Sequence, residues 1–338
     1  MKKQYYKNTF AFLFSLLFLF CSCDDNMSFD NNMEGNFDAL WTIIDENYCF
    51  FDYKDIDWDD IYVKYRARVR PEMSSDALFQ LMAEMLSELR DGHVNLIAAH
   101  DMSRYWSWSE DFPANFNTSI VSKYLGDDYM IAGGIRYKIL EDNVGYMYYG
   151  SFSNDVGHGN LSQIINRMAI CDGIIIDIRD NGGGSLTNVD RISSRFFNEK
   201  TLVGYIVHKT GKGHNDFSKL YPKYAESYNG LRYQKPVVVL TNRGCYSAAN
   251  DFTNVMKHAP NCTIMGDKTG GGSGLPFSSE LPNGWSVRFS ASPIYNVEKE
   301  HTEFGIEPDI YVSLQDSDVE KELDTLIEEA RSLIKASK

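Results

Sequence analysis

The chain has 338 residues, 43% of them hydrophobic, with 47 acidic against 33 basic side chains and a formal net charge of -14. That length exceeds one ordinary hydrophobic core, so two structural units are expected. A chain this acidic is not drawn electrostatically to nucleic acid or to an anionic membrane surface, which excludes charge-driven binding to either.

The chain opens as an export signal. Lys2, Lys3 and Lys7 form a basic start, and Phe10 to Phe20 form an apolar stretch too short to span a bilayer. The run Phe20-Cys21-Ser22-Cys23 resembles a bacterial lipoprotein signal, in which cleavage precedes a cysteine that follows a small residue. The resemblance implies removal of residues 1–22 and a lipidated Cys23 that anchors the chain to a membrane of the cell envelope, periplasmic or surface-exposed; an ordinary signal cut nearby is the alternative. Residues 23–36, polar and rich in Asn and Asp, read as a flexible tether.

Residues 37–92 read as a small helical domain. Phe37, Leu40, Trp41, Ile44 and Tyr48 recur at helical spacing, Trp58 to Val69 continues the pattern, and Ser75 starts a second stripe through Leu78, Leu81, Met82, Met85, Leu86 and Leu89. Residues 93–143 lack clean periodicity and read as connecting loops and short strands. From Val144 to the C-terminus, strands and helices alternate. Strands are expected at Val144–Tyr149, Gly173–Ile178, Leu202–Val207, Val237–Leu240 and Thr263–Met265, and helices near Leu161–Ala169, Val189–Phe197 and after Ser247. Such alternation predicts an α/β core with a mostly parallel sheet. Trp285 to Phe289, after Pro282-Asn283-Gly284, reads as a hairpin arm, and Ser317 to Ala336 as one amphipathic helix. Cys49, Cys171, Cys245 and Cys262 are too widely spaced for a zinc site or a disulfide scaffold and are expected as scattered buried thiols, so neither metal nor cofactor is implied.

Three segments carry chemistry. Gly244-Cys245-Tyr246-Ser247-Ala248-Ala249 puts a serine at a strand-to-helix junction, where free N–H groups and the helix dipole can hold an oxyanion. Serine is also a favoured N-cap, so Ser247 alone fits either role. The buried strand Ile174 to Arg179 ends in Asp180-Asn181-Gly182-Gly183-Gly184, whose glycines allow close backbone approach; Gly183 or Gly184 would pair with the Ala248 N–H as an oxyanion hole. A tight strand-to-helix turn is the other reading; a Walker-type phosphate loop does not fit, because no lysine follows these glycines. Gly270-Gly271-Gly272-Ser273-Gly274 is expected to wall the same cleft, since clefts form at the carboxyl ends of strands.

Read in order with Asp91-Gly92-His93, Gly266-Asp267-Lys268-Thr269-Gly270-Gly271 and Gly305-Ile306-Glu307-Pro308-Asp309, these segments resemble the tail-specific, or C-terminal processing, serine peptidases. The resemblance implies a ClpP/crotonase-like core, proteolysis through an acyl-enzyme on Ser247, and a peptide or unfolded protein as substrate. Members that use a Ser/Lys pair carry the lysine at the position of Gly272 here, and Lys268 falls four residues early. The chain therefore resembles the tricorn-like branch with a histidine base, for which His93 is the candidate, with a pKa near ~6.5 suited to the role. The resemblance also implies an orienting acid, Glu303, with Glu307 in reserve. Asn250 stands where the family often has Glu, with Asp251 beside it, and His301 is a further histidine without motif support. The family's PDZ domain does not fit in residues 94–143. Two other functions stand beside this one: a binding protein that kept this fold without catalysis, and an esterase, against which the absence of G-x-S-x-G argues.

Overall fold

The computed structural model describes residues 29–337. The signal segment and Cys23 lie outside the described residues. Four helices come first: α1 (Met33–Asn47), α2 (Phe51–Lys54), α3 (Trp58–Arg66) and α4 (Ser75–Ser87). α1 begins inside the stretch read as tether, because Asn32 accepts a hydrogen bond from the Gly35 N–H and caps it. Phe37, Leu40 and Ile44 of α1 share a core with Leu78, Met82 and Met85 of α4. α1 and α3 are tied by a reciprocal pair of bonds, the Trp41 indole donating to the Trp58 carbonyl at 3.1 Å and the Trp58 indole to the Trp41 carbonyl at 3.2 Å. The same core takes in Leu281, Trp285, Val287 and Phe289, so the helices are held against a hairpin from far along the chain.

There follow β1 (Asn95–Ile97), α5 (Thr118–Leu125), β2 (Met130–Ala132), β3 (Ile135–Ile139), β4 (Val144–Tyr148), α6 (His158–Met168), β5 (Gly173–Asp177) and α7 (Leu186–Ser193). Next are β6 (Thr201–Ile206), β7 (Tyr221–Ala225), β8 (Val237–Thr241), α8 (Ala248–Met256) and β9 (Cys262–Gly266). The chain closes with β10 (Gly274–Glu280), β11 (Ser286–Tyr295), β12 (Ile310–Tyr311), α9 (Asp316–Val319) and α10 (Thr325–Ala336). Seven strands form one sheet in the order β12-β9-β8-β5-β4-β3-β2, parallel from β12 to β4 and antiparallel beyond. Successive residues of β5 serve opposite cores: Ile174 and Ile176 pack with Ile164 of α6, Val189 of α7 and Phe252 of α8, while Ile175 packs with Val121 of α5 and Ile327 of α10. A strand buried on both faces reads as an unbroken apolar run, which is the pattern of Ile174-Ile175-Ile176.

A second, antiparallel sheet is built around β11, which pairs with β1, β10 and β6, with β7 outside β6. Here the strand expected at Leu202–Val207 departs from the parallel sheet: the place beside β5 is filled by the fully buried β8, and β6 is only half-buried at four of its six positions. α5 is a helix where only loops and strands were expected. Asn117 caps it through bonds from the Ser119 and Ile120 N–H groups, and Ile120, Val121 and Leu125 bury its short apolar face. The four cysteines of the described residues are free thiols.

The expected C-terminal helix breaks in two at Asp324. That carboxylate accepts the Ile327 N–H at 3.1 Å as the cap of α10 and the Arg179 guanidinium at 3.1 Å. Arg179, fully buried, also meets Asp177 through Nε at 2.9 Å and Nη2 at 2.6 Å, and the Tyr146 hydroxyl donates to Asp177 at 2.7 Å. This network fixes the residue that leads into the first glycine loop. Breaking a buried charged network by removing one partner costs about 3–5 kcal/mol, so Asp324→Ala should lower the unfolding free energy by that much, read as a lower urea midpoint with an unchanged slope. Asp324→Asn keeps an acceptor for the cap and should lose less.

Candidate active site

Between the end of β8 and the start of α8 the chain makes an elbow at Ser247. Its backbone stands at φ 57°, ψ -117°, a conformation that costs a residue with a side chain on the order of 1–3 kcal/mol. Both glycine loops hold it there. The Ser247 N–H donates to the Gly271 carbonyl at 2.8 Å and the Tyr246 N–H to the Asn181 carbonyl at 3.0 Å. The hydroxyl makes no capping bond, so the N-cap role that serine often takes is not what this side chain does. Instead Ser247 lines a cavity of about 940 Å³ shared with His93, Ala248, Gly183 and Gly184.

Gly183 sits directly against the elbow at φ 100°, and a Cβ on it would lie 2.8 Å from Ser247 Cβ and 2.9 Å from the Ala248 nitrogen. Its own N–H donates to Asn181 Oδ1 at 3.0 Å, whereas the N–H groups of Ala248 and Gly184 meet no acceptor among the described residues. Gly183→Val should therefore crowd the elbow and resist the left-handed backbone, cutting turnover by roughly a hundredfold or more while the melting temperature shows a persisting fold. The second loop leaves no room for a lysine: a Cβ on Gly272 would meet the Tyr246 ring at 2.4 Å. Lys268 is turned away, paired with Glu307 at 2.9 Å, and Glu307 also accepts the Tyr311 hydroxyl. Neither residue lines the cavity.

His93 is buried, its ring tilted 59° to that of Tyr246 with centroids 5.0 Å apart. The Asp91 carboxylate accepts its backbone N–H at 2.8 Å, and its ring Nδ1 has no partner among the described residues. Burial first, then the positive charges of Arg288 and Lys54, hold the imidazole pKa down at about 4 against the opposing pull of Asp91. Glu303 reaches the same neighbourhood but is engaged elsewhere: it accepts the Lys54 ammonium at 2.9 Å and the Ser273 N–H at 2.8 Å, and the structure draws no bond from it to the His93 ring. Lys54 also lies 3.4 Å from Asp91, which in turn accepts the hydroxyls of Tyr48 at 3.0 Å and Ser290 at 2.9 Å.

One ammonium faces two carboxylates, and the burden falls unequally. Burial and then the neighbouring Asp91 raise the Glu303 pKa to about 7 over the countering pull of Lys54, while Lys54 and His93 help hold Asp91 below its ordinary range. A carboxyl whose pKa is raised on folding binds protons more readily in the native state, so stability falls as pH rises from about 4.5 to about 7. Glu303→Gln should remove that part of the slope, worth about 1–3 kcal/mol across the window, in urea titrations at a series of pH values.

Several residues of the site carried no signal of their own in the sequence. Trp108 stacks on Tyr246 with centroids 4.3 Å apart, and Arg243 holds that segment by donating to the Trp108 carbonyl at 2.7 Å. A paired aromatic in an aperiodic polar stretch was the only hint. Lys54 stood out only as a lysine ending the run Phe50-Phe51-Asp52-Tyr53. Asn250 bridges the Thr269 hydroxyl at 2.6 Å and the Thr302 carbonyl at 3.1 Å, and Asp251 is paired with Lys223. His301 stacks on Tyr53 outside the cavity.

The model of peptidase family S41 matches residues 143–312, half of the chain. The chain belongs to peptidase family S41. Its helical unit matches a second model, the tricorn protease C1 domain, over residues 29–87. A crystal structure of a candidate peptidase from Parabacteroides merdae is 55% identical and superposes with a TM-score of 0.86, covering 90% of this chain and 97% of that one. Mature CPAF in complex with lactacystin, 12% identical, superposes at 0.68 over 90% of this chain and 98% of that one, a likeness of fold alone. The carboxyl-terminal-processing protease of Synechocystis is 30% identical over 176 residues, 49% of this chain and 37% of that protein. The chain thus spans about a third of the length of such curated relatives. Membership in S41 makes it a member of a serine-type peptidase family with the α/β core expected of it.

Proposed function

We propose that this S41 member is an envelope-anchored endopeptidase that hydrolyses peptides or unfolded protein through an acyl-enzyme on Ser247. The observation that carries the reading is the elbow: a serine strained at φ 57°, its hydroxyl unused for capping, in one cavity with a buried histidine. Ser247 Oγ attacks the scissile carbonyl carbon while His93 takes its proton. The N–H groups of Ala248 and Gly184 stabilise the oxyanion, with Gly183 as their scaffold, and each such donor is worth about 2.7–4 kcal/mol in the transition state. Collapse expels the amine with the proton from His93, and water then releases the acyl group by the same path. Glu303 acts through the Lys54–Asp91 cluster that sets the His93 loop. Lipid anchoring at Cys23 rests on the basic start, the short apolar run and the small residue before the cysteine.

The rival is a ligand-binding protein on the same fold, and the unpartnered His93 Nδ1 is the observation on its side. Labelling with a fluorophosphonate separates the two. Ser247→Ala should abolish labelling with little change in melting, whereas a capping serine would cost about 0.5–2 kcal/mol; a wild-type protein that resists every serine-directed reagent favours the binding protein. His93→Ala should slow acylation by orders of magnitude and Lys268→Ala should leave most of it. Because His93 acts as base in its neutral form and its pKa lies at about 4, kcat/KM should fall only as pH drops through that value; an acid limb near 6.5 would contradict the buried base.

A further inference from the structure

The reaction above uses one face of the β10–β11 arm and leaves the other unassigned. Ser290 donates its hydroxyl to Asp91 at 2.9 Å, so the face it shares with Arg288 is turned toward the His93 loop. Phe289, next in the strand, stands on the opposite face, and Phe277 of β10 lies directly across from it. On that opposite face a second cavity, of about 420 Å³, opens between the arm, the end of α1 at Asn47 and the chain after β6 at His208 and Lys209.

The floor of this cavity is apolar and its polar rim is already bonded within the chain. Phe289 and Ala291 belong to the buried core of the helical unit, whereas Phe277 is 52% exposed. Around them the Lys209 ammonium donates to the Gly213 carbonyl at 2.6 Å, His208 Nδ1 meets Ser292 Oγ at 3.0 Å, and the Asn47 amide donates to the Ile43 carbonyl at 2.8 Å. A half-exposed ring beside a buried one offers apolar contact and edge or stacking geometry, so the cavity suits an aromatic or large aliphatic side chain and not a charged one.

What reaches the cavity is set by β10. Its first residues, Gly274, Leu275 and Pro276, line the catalytic cavity with Ser247, and the next three, Phe277, Ser278 and Ser279, line the second one. Among the described residues β10 pairs with β11 alone, so its other edge is open. An extended peptide on that edge rises about 3.3 Å per residue, covers about 10 Å from Gly274 to Phe277, and turns alternate side chains to opposite faces of the arm. We propose that the second cavity is a distal subsite, which takes an aromatic or large aliphatic side chain of the bound peptide about three to five residues from the scissile bond. The distance to the bond rests on the Ser247 reading; the binding of the side chain does not.

A positional scan tests the subsite. The probe is an internally quenched, alanine-rich peptide with one cut site located by mass spectrometry, in which a single phenylalanine replaces alanine at each position in turn. On one side of the cut, kcat/KM should rise about ten- to a hundredfold when the phenylalanine stands about three to five residues away, the gain that burying an aromatic side chain gives. Glutamate at the same position should give no gain. Phe277→Ala, which removes the exposed ring, should erase most of the ratio, and Ser279→Trp, which fills the cavity, should erase it too. A gain confined to positions next to the cut, no gain at any distance, or a ratio that both variants keep with unchanged circular dichroism overturns the proposal. If the wild type cuts none of the peptides, the peptidase reading fails and the same series is read as binding to Ser247→Ala by fluorescence anisotropy. There, tighter binding of a phenylalanine form that Phe277→Ala removes upholds the subsite, and its absence overturns it.

Discussion

A single ammonium group holds the two halves of the site together. Lys54 comes from α2 of the helical unit, Asp91 from the loop that carries His93, and Glu303 from a loop of the core 249 residues further along the chain. All three are buried, and taking such charges out of water costs several kcal/mol per ion, so the cluster is tolerable only when all three arrive together. Docking the helices therefore sets the position of the His93 loop against the Ser247 elbow. One ammonium among two carboxylates leaves a negative charge in excess, which Glu303 relieves by its raised affinity for a proton. The Asp91 charge favours protonation of His93, but burial, helped by the positive charges of Arg288 and Lys54, outweighs it and keeps the ring neutral.

The elbow shows where stability gives way to chemistry. Ser247 is held in a backbone conformation that glycine would take more readily, by hydrogen bonds from Ser247 to Gly271 and from Tyr246 to Asn181. Those bonds bring the two glycine loops to opposite sides of one hydroxyl. The Tyr246 ring then packs between His93, Trp108 and Gly272, filling the space a side chain at Gly272 would need. Absence of a lysine there and presence of a tyrosine before the serine are thus one packing solution, and it fits a histidine base.

The core was legible because its signals are local and strong. Ile174-Ile175-Ile176 reads as a strand buried on both faces, and the glycine run after it as a place where backbone approaches closely. Ser247, His93 and the glycine loops, singled out by residue type and order, do face one cavity. What could not be read rests on distant partners or on caps. α5 depends on Asn117, the break before α10 on Asp324 being drawn to Arg179, and the placement of β6 on its half-buried pattern. Glu303 was legible as an acid near the site, but its partners Lys54 and Ser273 were not, because nothing in the local sequence marks a contact across so many residues.

Where a transition-state analogue settles tests the pairing of Ser247 with His93 most directly. A crystal structure of the protein with a peptide boronate should show tetrahedral boron bonded to Ser247 Oγ, one boron oxygen facing the Ala248 N–H, and the His93 ring within hydrogen-bonding reach of the other. Boron bound to another residue, or on Ser247 with its oxygens turned to solvent and His93 apart, would contradict it.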